Sequence, residues 1–344
     1  MAPLLDIVDL RASYQTESGP VRAVDGVSFT IEPGRSLGLV GESGCGKSSV
    51  VRCILKIFPR MFRIESGGIF FRGTDLVPLG DDKMRAIRWK EISLVPQSAM
   101  NALNPVYRVG AQIAEAILEH ERVTRAQVET RVRELLQWVG IAPERAEQYP
   151  HQFSGGMRQR VNIAMALALE PALVIADEPT TALDVVVQDQ IFQRIAEMRQ
   201  RTGASLLLVT HDMSLVAENC DRVAVMYAGK IAEYSDVGPL FRTPYHPYTL
   251  GLKNAFPSIT RSRDDALISI PKSPPSLLNP PPGCRFAPRC PFATEVCGEE
   301  EPPLIEVETG HFAACHHLSR IDEMRAESKK VETWEALTSS SSSS

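Results

Sequence analysis

The stretch Gly41-Glu42-Ser43-Gly44-Cys45-Gly46-Lys47-Ser48 carries glycine, lysine and serine at the spacing G-x-x-x-x-G-K-[ST]. Residues of these types in this order can cradle a chain of phosphates. A glycine-rich turn points several backbone N–H groups at one anion, and the positive end of a following helix reinforces them. Lys47 is placed to reach the β- and γ-phosphates, and the Ser48 hydroxyl to complete the coordination of Mg2+. Ser43 and Ser49 flank the same cradle, and Cys45 contributes a small side chain within it.

Two further runs suit the same chemistry. Asp177 and Glu178 follow the apolar residues Leu173-Val174-Ile175-Ala176. Carboxylates at the C-terminal end of a buried strand stand where open α/β sheets gather ligands. Asp177 is placed to hold Mg2+ through water, and Glu178 to orient and polarise an attacking water. Ser154-Gly155-Gly156-Met157 forms the other run. Ser154 can cap a helix, and the glycines let backbone approach an anion. Taken alone, this is an ordinary helix start; a nucleotide held between two subunits is what would give it a task.

The elements that must position these groups alternate strand and helix. Ser36–Val40 reads as a buried strand ahead of the glycine loop, and residues 49–57 as the helix after it. Residues 7–13, 27–31, 68–71, 205–209 and 223–227 also read as strands. The run 172–176 is apolar without alternation, as a parallel sheet requires. Between Gln97 and Met165 the period turns helical, over 109–121, 125–140 and 156–169. A helical insert in an α/β core is the simplest architecture. From Pro239 the composition shifts. Residues 271–282 (PKSPPSLLNPPP) form an extended linker without helix. A small cysteine-bearing module follows to about His317, then a polar helix over 321–337. The terminal serines are low-complexity, disordered or an appended tail.

The chain of 344 residues suffices for two domains and a sizeable core. A net charge of −5 argues against a nucleic-acid or anionic-membrane surface. No apolar run approaches the ~18–20 residues that span a bilayer, and residues 1–10 lack the pattern of a signal peptide. The expectation is a cytoplasmic protein that would serve a membrane by docking to it.

In order along the chain, these pieces resemble an ATP-binding cassette (ABC) ATPase. Gly41–Ser48 is similar to its Walker A loop, Gln97 to its Q-loop, Ser154–Met157 to its signature, and Leu173–Glu178 to its Walker B strand. Ala182-Leu183-Asp184 is similar to its D-loop and His211 to its switch histidine. Tyr14 stands where the family places an aromatic on adenine. Alone, Tyr14 reads as core, Gln97 as a turn residue, and His211 as part of a helix cap. The signature departs from the common form in opening with Phe153 and in having Met157 where glutamine is usual. The resemblance implies a RecA-like P-loop core with an antiparallel β subdomain and a helical insert at about 98–165, together filling 1–237. A C-terminal module would occupy 238–325 and a partly disordered tail 326–344.

The resemblance narrows further. Pro150–Arg160, Ala176–Asp184 and His246-Pro247-Tyr248-Thr249 are similar to the D-type ATPase of dipeptide/oligopeptide importers, whose relatives include nickel and oligosaccharide importers. The segment Gln97–Pro105 looks slightly more like the sugar branch. The family implies ATP hydrolysis by a pair of ATPases, this one and an F-type partner or a second copy. Two membrane permease subunits and an external binding protein complete it, at the cytoplasmic face of the membrane. Lys47, Ser48, Gln97, Asp177, Glu178 and His211 would serve one ATP and its Mg2+. Gln97 would both ligate Mg2+ and report nucleotide state to the membrane partner. Ser154, Gly155, Gly156 and Met157 would reach the partner's ATP.

Cys284, Cys290, Cys297 and Cys315 follow the spacing C-x5-C-x6-C-x17-C. In a reducing compartment four such thiolates suit zinc or an iron–sulfur cluster. The short C-x2-C knuckle of structural zinc is absent, and the related importer subunits carry a similar set read as a 4Fe–4S site. His311, His316 or His317 could replace one ligand, and a module that holds no metal is the remaining alternative. The rival to the importer reading is a soluble ABC ATPase acting on nucleic acid through a zinc module.

Overall fold

The computed structural model describes residues 2–97, 102–180, 185–255 and 268–339. The strands among them are β1 Leu5–Thr16, β2 Gly19–Ile31, β3 Ser36–Val40, β4 Phe62–Phe71, β5 Thr74–Asp75, β6 Ile92–Val95, β7 Leu173–Asp177, β8 Ser205–Thr210, β9 Arg222–Tyr227, β10 Lys230–Asp236, β11 Ile305–Glu308 and β12 His311–Ala313. The chain folds as two compact units. The first takes the residues up to Leu4, Ile31–Ser36 and Phe71–Val209; the second takes Leu5–Thr30, Leu37–Phe70 and the chain from Thr210 on.

In the first unit β6, β7 and β8 are parallel neighbours, with Ile92 opposite Leu173 and Leu173 opposite Ser205. The apolar runs of β7 and β8 are buried along both faces, which is why the sequence shows no alternation there. The expected helical insert is present as Val109–His120, Arg125–Trp138 and Gly155–Ala166. Thr124 and Gln127 close a capping box at the start of the second of these helices. Buried Gln112 ties down the preceding loop: it accepts from the Asn104 N–H at 2.9 Å and donates to the Asn104 and Tyr107 carbonyls at 3.0 Å each.

In the second unit β1 and β2 are joined by two residues and lie side by side in the order β2-β1-β4. A connection that short requires them to run antiparallel. The other sheet pairs β3 with β9 in parallel, Leu37 opposite Arg222. It continues antiparallel through β10, β12 and β11. The cysteine-bearing segment therefore adds its own strands to the sheet that carries the glycine loop, with Phe312 opposite Tyr234 and Ala313 opposite Glu233.

The linker 271–282 has no helix, as its prolines require, and the Leu277 carbonyl accepts from the Arg22 N–H at 3.0 Å. The single polar helix read over 321–337 is instead two helices, Ile321–Glu327 and Val331–Ser339. The second is held by Trp334, which is only 2 % exposed and donates its indole N–H to the Ser328 carbonyl at 3.0 Å. A buried indole with a satisfied N–H anchors a stretch whose composition is otherwise that of a tail.

Candidate nucleotide site

The phosphate loop lies in the second unit, between β3 and the helix Lys47–Leu55. Gly46 is the N-cap at φ 110°, and a Cβ there would stand 2.0 Å from the Ala23 carbonyl oxygen. A Cβ on Gly41 would lie 2.1 Å from the Met226 carbonyl oxygen. Both positions therefore demand glycine for reasons of packing as well as of phosphate approach. Gly44, at φ 80°, faces open space. Lys47 is buried and folds back on its own loop, donating to the Gly41 carbonyl at 2.6 Å and the Glu42 carbonyl at 3.0 Å. Cys45 is buried beneath the loop, and burial pushes its thiol pKa up, against the pull of the Lys47 ammonium.

Tyr14 stands beside this loop. Its hydroxyl lies 3.4 Å from Ser49 Oγ and accepts from Arg52 Nη1 at 2.5 Å, and its ring meets Phe62 edge-on at 4.6 Å. His211 is exposed. The helix cap expected around it belongs to its neighbour: Asp212 accepts from the Ser214 N–H at 2.7 Å and starts the helix Met213–Asn219.

The carboxylates lie in the first unit. Asp177 ends β7, and Glu178 follows in the left-handed region at φ 45°. A non-glycine residue held at such a dihedral is a strained one that its surroundings must fix. The Glu178 N–H donates to the Val209 carbonyl at 2.8 Å, and Gln97 Nε2 donates to Glu178 Oε2 at 2.6 Å. The two residues, given separate roles in the sequence reading, are in direct contact. Ser154 caps the helix Gly155–Ala166 by accepting from the Met157 N–H at 3.3 Å. Nothing lies within 4 Å of the place where a Gly155 Cβ would stand, so no packing demand of this chain selects glycine there. Buried Gln159, one turn on, donates to the Pro179 carbonyl at 2.6 Å and so ties this helix to the loop after Glu178. Residues 182–184, read as the D-loop, lie outside the described residues.

The sequence reading gave no site role to three residues: Glu42, Tyr248 and Arg289. Glu42 donates its N–H to the Tyr248 hydroxyl at 2.9 Å, and its carboxylate receives both Arg289 Nη atoms, at 2.5 and 3.0 Å. The His-Pro-Tyr run places Tyr248 there. His246 Nδ1 accepts from the Tyr248 N–H at 3.0 Å, and Pro247 opens the helix Pro247–Ala255. Burial depresses the His246 pKa to about 4, with Glu233 pulling the other way, so the imidazole stays neutral and keeps its acceptor.

Cys284, Cys290, Cys297 and Cys315 line one small cavity together with His316 and His317, and none is in a disulfide. Burial pushes the Cys284 and Cys290 thiols up and Cys315 to about 11. The alternative ligands separate. His311 is committed to Glu233, 2.6 Å away in the core, while His317 Nε2 lies 3.4 Å from Cys297 Sγ. Among the described residues no three or more His, Cys, Asp or Glu side chains stand at the spacing of a closed metal-ion site. The four cysteines thus share one cavity, without the closed metal-ion set expected from the sequence among the described residues.

The model of the ABC transporter family matches residues 24–181, and that of the oligopeptide/dipeptide transporter C-terminal region matches residues 232–297. A probable peptide ABC transporter ATP-binding protein of Sinorhizobium fredii is 48% identical over 321 residues, 92% of this chain and 96% of that one. The oligopeptide transport ATP-binding protein OppD of Bacillus subtilis is 46% identical over 312 residues, 90% of this chain and 87% of the relative. A dimeric ATP-binding cassette in a post-hydrolysis state, bound to ADP and Pi, superposes with a TM-score of 0.62 at 25% identity, covering 68% of this chain and 98% of that one. The fold is that of an ATP-binding cassette. The chain belongs to the ABC transporter ATPases, in the group with the oligopeptide/dipeptide transporter C-terminal region. This relationship along nearly the whole chain displaces the soluble nucleic-acid reading. The relatives named here are peptide transporters, so the sugar-like look of Gln97–Pro105 finds no echo in them.

Proposed function

We propose that this chain is the ATP-hydrolysing motor subunit of a membrane importer of dipeptides or oligopeptides. The observation that carries the reading is the Gln97–Glu178 hydrogen bond of 2.6 Å at the C-terminal end of β7. It joins the group that would polarise water to the residue beside the surface where a membrane partner would dock. Lys47 and the loop amides would bind the β- and γ-phosphates of ATP, with Tyr14 against the adenine and His211 at the γ-phosphate. Ser48, Gln97 and Asp177 are suited to Mg2+, which neutralises phosphate charge when bound. Glu178 would orient the attacking water.

Ser154, Gly155, Gly156 and Met157 would serve the ATP of a partner, an F-type ATPase or a second copy. The open space at Gly155 supports a surface meant for another molecule. No helix among the described residues is long and apolar enough to cross a membrane. By its family relationship the chain would act as a peripheral subunit at the cytoplasmic face, beneath two permeases fed by an external binding protein.

For the cysteine module we favour a 4Fe–4S cluster. A tetrahedral zinc site with Zn–S bonds of 2.3 Å needs its sulfurs about 3.8 Å apart. The four thiols line one small cavity, and their sequence spacing lacks the short C-x2-C knuckle of structural zinc. Anaerobic co-purification with the neighbouring subunits and reconstitution into vesicles tests both readings. Peptide-stimulated ATP hydrolysis with peptide uptake, about four irons per chain and a broad band near ~400 nm are expected. Hydrolysis that ignores peptide would remove the importer assignment, and zinc without iron the cluster.

A further inference from the structure

We propose that Arg289 is a positioning residue for the phosphate loop, through which the order of the cysteine-bearing module sets the affinity for nucleotide. The proposal rests on the reading of Gly41–Ser48 as the nucleotide site. Glu42 is gripped at each of its polar groups. Its N–H donates to the Tyr248 hydroxyl at 2.9 Å, and its carbonyl accepts from Lys47 Nζ at 3.0 Å and the Cys45 N–H at 3.3 Å. Its carboxylate takes the two-pronged Arg289 bond at 2.5 and 3.0 Å.

Arg289 is built in rather than draped over the surface: its side chain is 3% exposed, that of Glu42 27%. Its remaining donors reach the Pro271 carbonyl at 2.8 Å, the Ile270 carbonyl at 3.3 Å and the Tyr227 hydroxyl at 3.2 Å. The turn that presents it is closed within the module. Arg289 N–H donates to the Phe286 carbonyl at 2.9 Å, Cys290 N–H to Ala287 at 3.2 Å, and Cys284 N–H to Cys297 at 2.8 Å. A side chain 247 residues away in sequence thus fixes the second residue of the loop.

A loop that is free before binding must lose that freedom on binding, and the loss subtracts from affinity. The clamp makes the loop rigid in advance. Lysine cannot replace it, because only the guanidinium presents parallel donors to both carboxylate oxygens. The hold is the same before and during reaction, so its loss should raise KM and spare kcat.

The test is equilibrium ATP binding by the full chain, with steady-state hydrolysis by the assembled transporter. The variants are Arg289→Met, Arg289→Lys, Glu42→Gln and the double variant Arg289→Met/Glu42→Gln. Each single change is expected to weaken ATP binding about tenfold, equivalent to ~1.4 kcal/mol, with kcat within about twofold. Arg289→Lys should not restore binding, and the double variant should be no weaker than the worse single. Glu42→Gln leaves the buried arginine and its other bonds in place, so it decides the matter if Arg289→Met does not fold. Wild-type affinity in Glu42→Gln, or strictly additive losses in the double, would overturn the proposal. A wild-type chain that binds no ATP would instead remove the nucleotide-site reading beneath it.

Discussion

Gln97 donates a 2.6 Å hydrogen bond to the Glu178 carboxylate across 81 residues of chain. A neutral amide aligns a carboxylate without adding charge to it. Gln97→Ala is therefore expected to lower turnover about tenfold while ATP affinity changes less than about threefold. Parallel measurement of kcat and the ATP dissociation constant checks this; an unchanged kcat would show that the contact does not matter to hydrolysis.

Glu178 itself should matter more. Glu178→Gln keeps the shape and the left-handed backbone but removes the proton acceptor. Positioned general bases contribute about 100- to 10,000-fold, so hydrolysis should fall by that order while ATP remains bound. Both ATPase subunits of the assembly must be assayed, since the other site can mask the loss. Normal turnover in an assembly with the change in each subunit would refute the base assignment.

Gln159 offers a stability test independent of catalysis. It is 2% exposed and its amide supplies the hydrogen bond recorded for the Pro179 carbonyl. Gln159→Leu leaves that buried carbonyl without this partner, at about 1–3 kcal/mol. Urea unfolding should show a lower midpoint with an unchanged slope. The variant should also hydrolyse ATP more slowly, because the helix begun by Ser154 loses its tie to the loop after Glu178.

His246 makes an acid-sensitive joint. Its folded pKa is about 4 against an ordinary 6.5, so the unfolded chain takes up its proton first as pH falls. Stability from this group is complete above pH 6.5 and drains away as pH drops toward 4, by roughly 3 kcal/mol in all. His246→Asn can still accept from the Tyr248 N–H as a helix cap but does not titrate there. Thermal midpoints measured from pH 7 to 4.5 should fall less steeply in the variant than in the wild type. Parallel curves would mean that other groups govern the acid sensitivity.

Much of the core was legible in the residues. The strand Ser36–Val40 was read with its observed ends, and Leu173–Asp177 and Ser205–Thr210 to within one residue, because buried parallel strands are short apolar runs. β2 and β4 were read too short. The missed parts mix a few buried apolar residues, Ala23, Val24 and Phe62, with exposed polar ones and glycines, so no clear alternation marked them. The tail was misread as one polar helix because only a few buried apolar residues, Ile321, Met324 and Trp334, anchor its two helices in an otherwise polar stretch.

The phosphate loop and the carboxylate pair could be recognised from sequence because their chemistry is local. Glycines, a lysine and a hydroxyl within eight residues make a recognisable phosphate-loop pattern, since the nest comes from backbone that the same residues shape. The hold of Arg289 on Glu42 could not be read in that way. It joins residues 247 apart, and neither a lone glutamate in a glycine loop nor an arginine before a cysteine shows any period or spacing. What set that pair was the strand order in the second unit. Pairing β10 with β12 ties the cysteine-bearing segment to the sheet that bears the loop, and burial then leaves the two charges no better partner than each other.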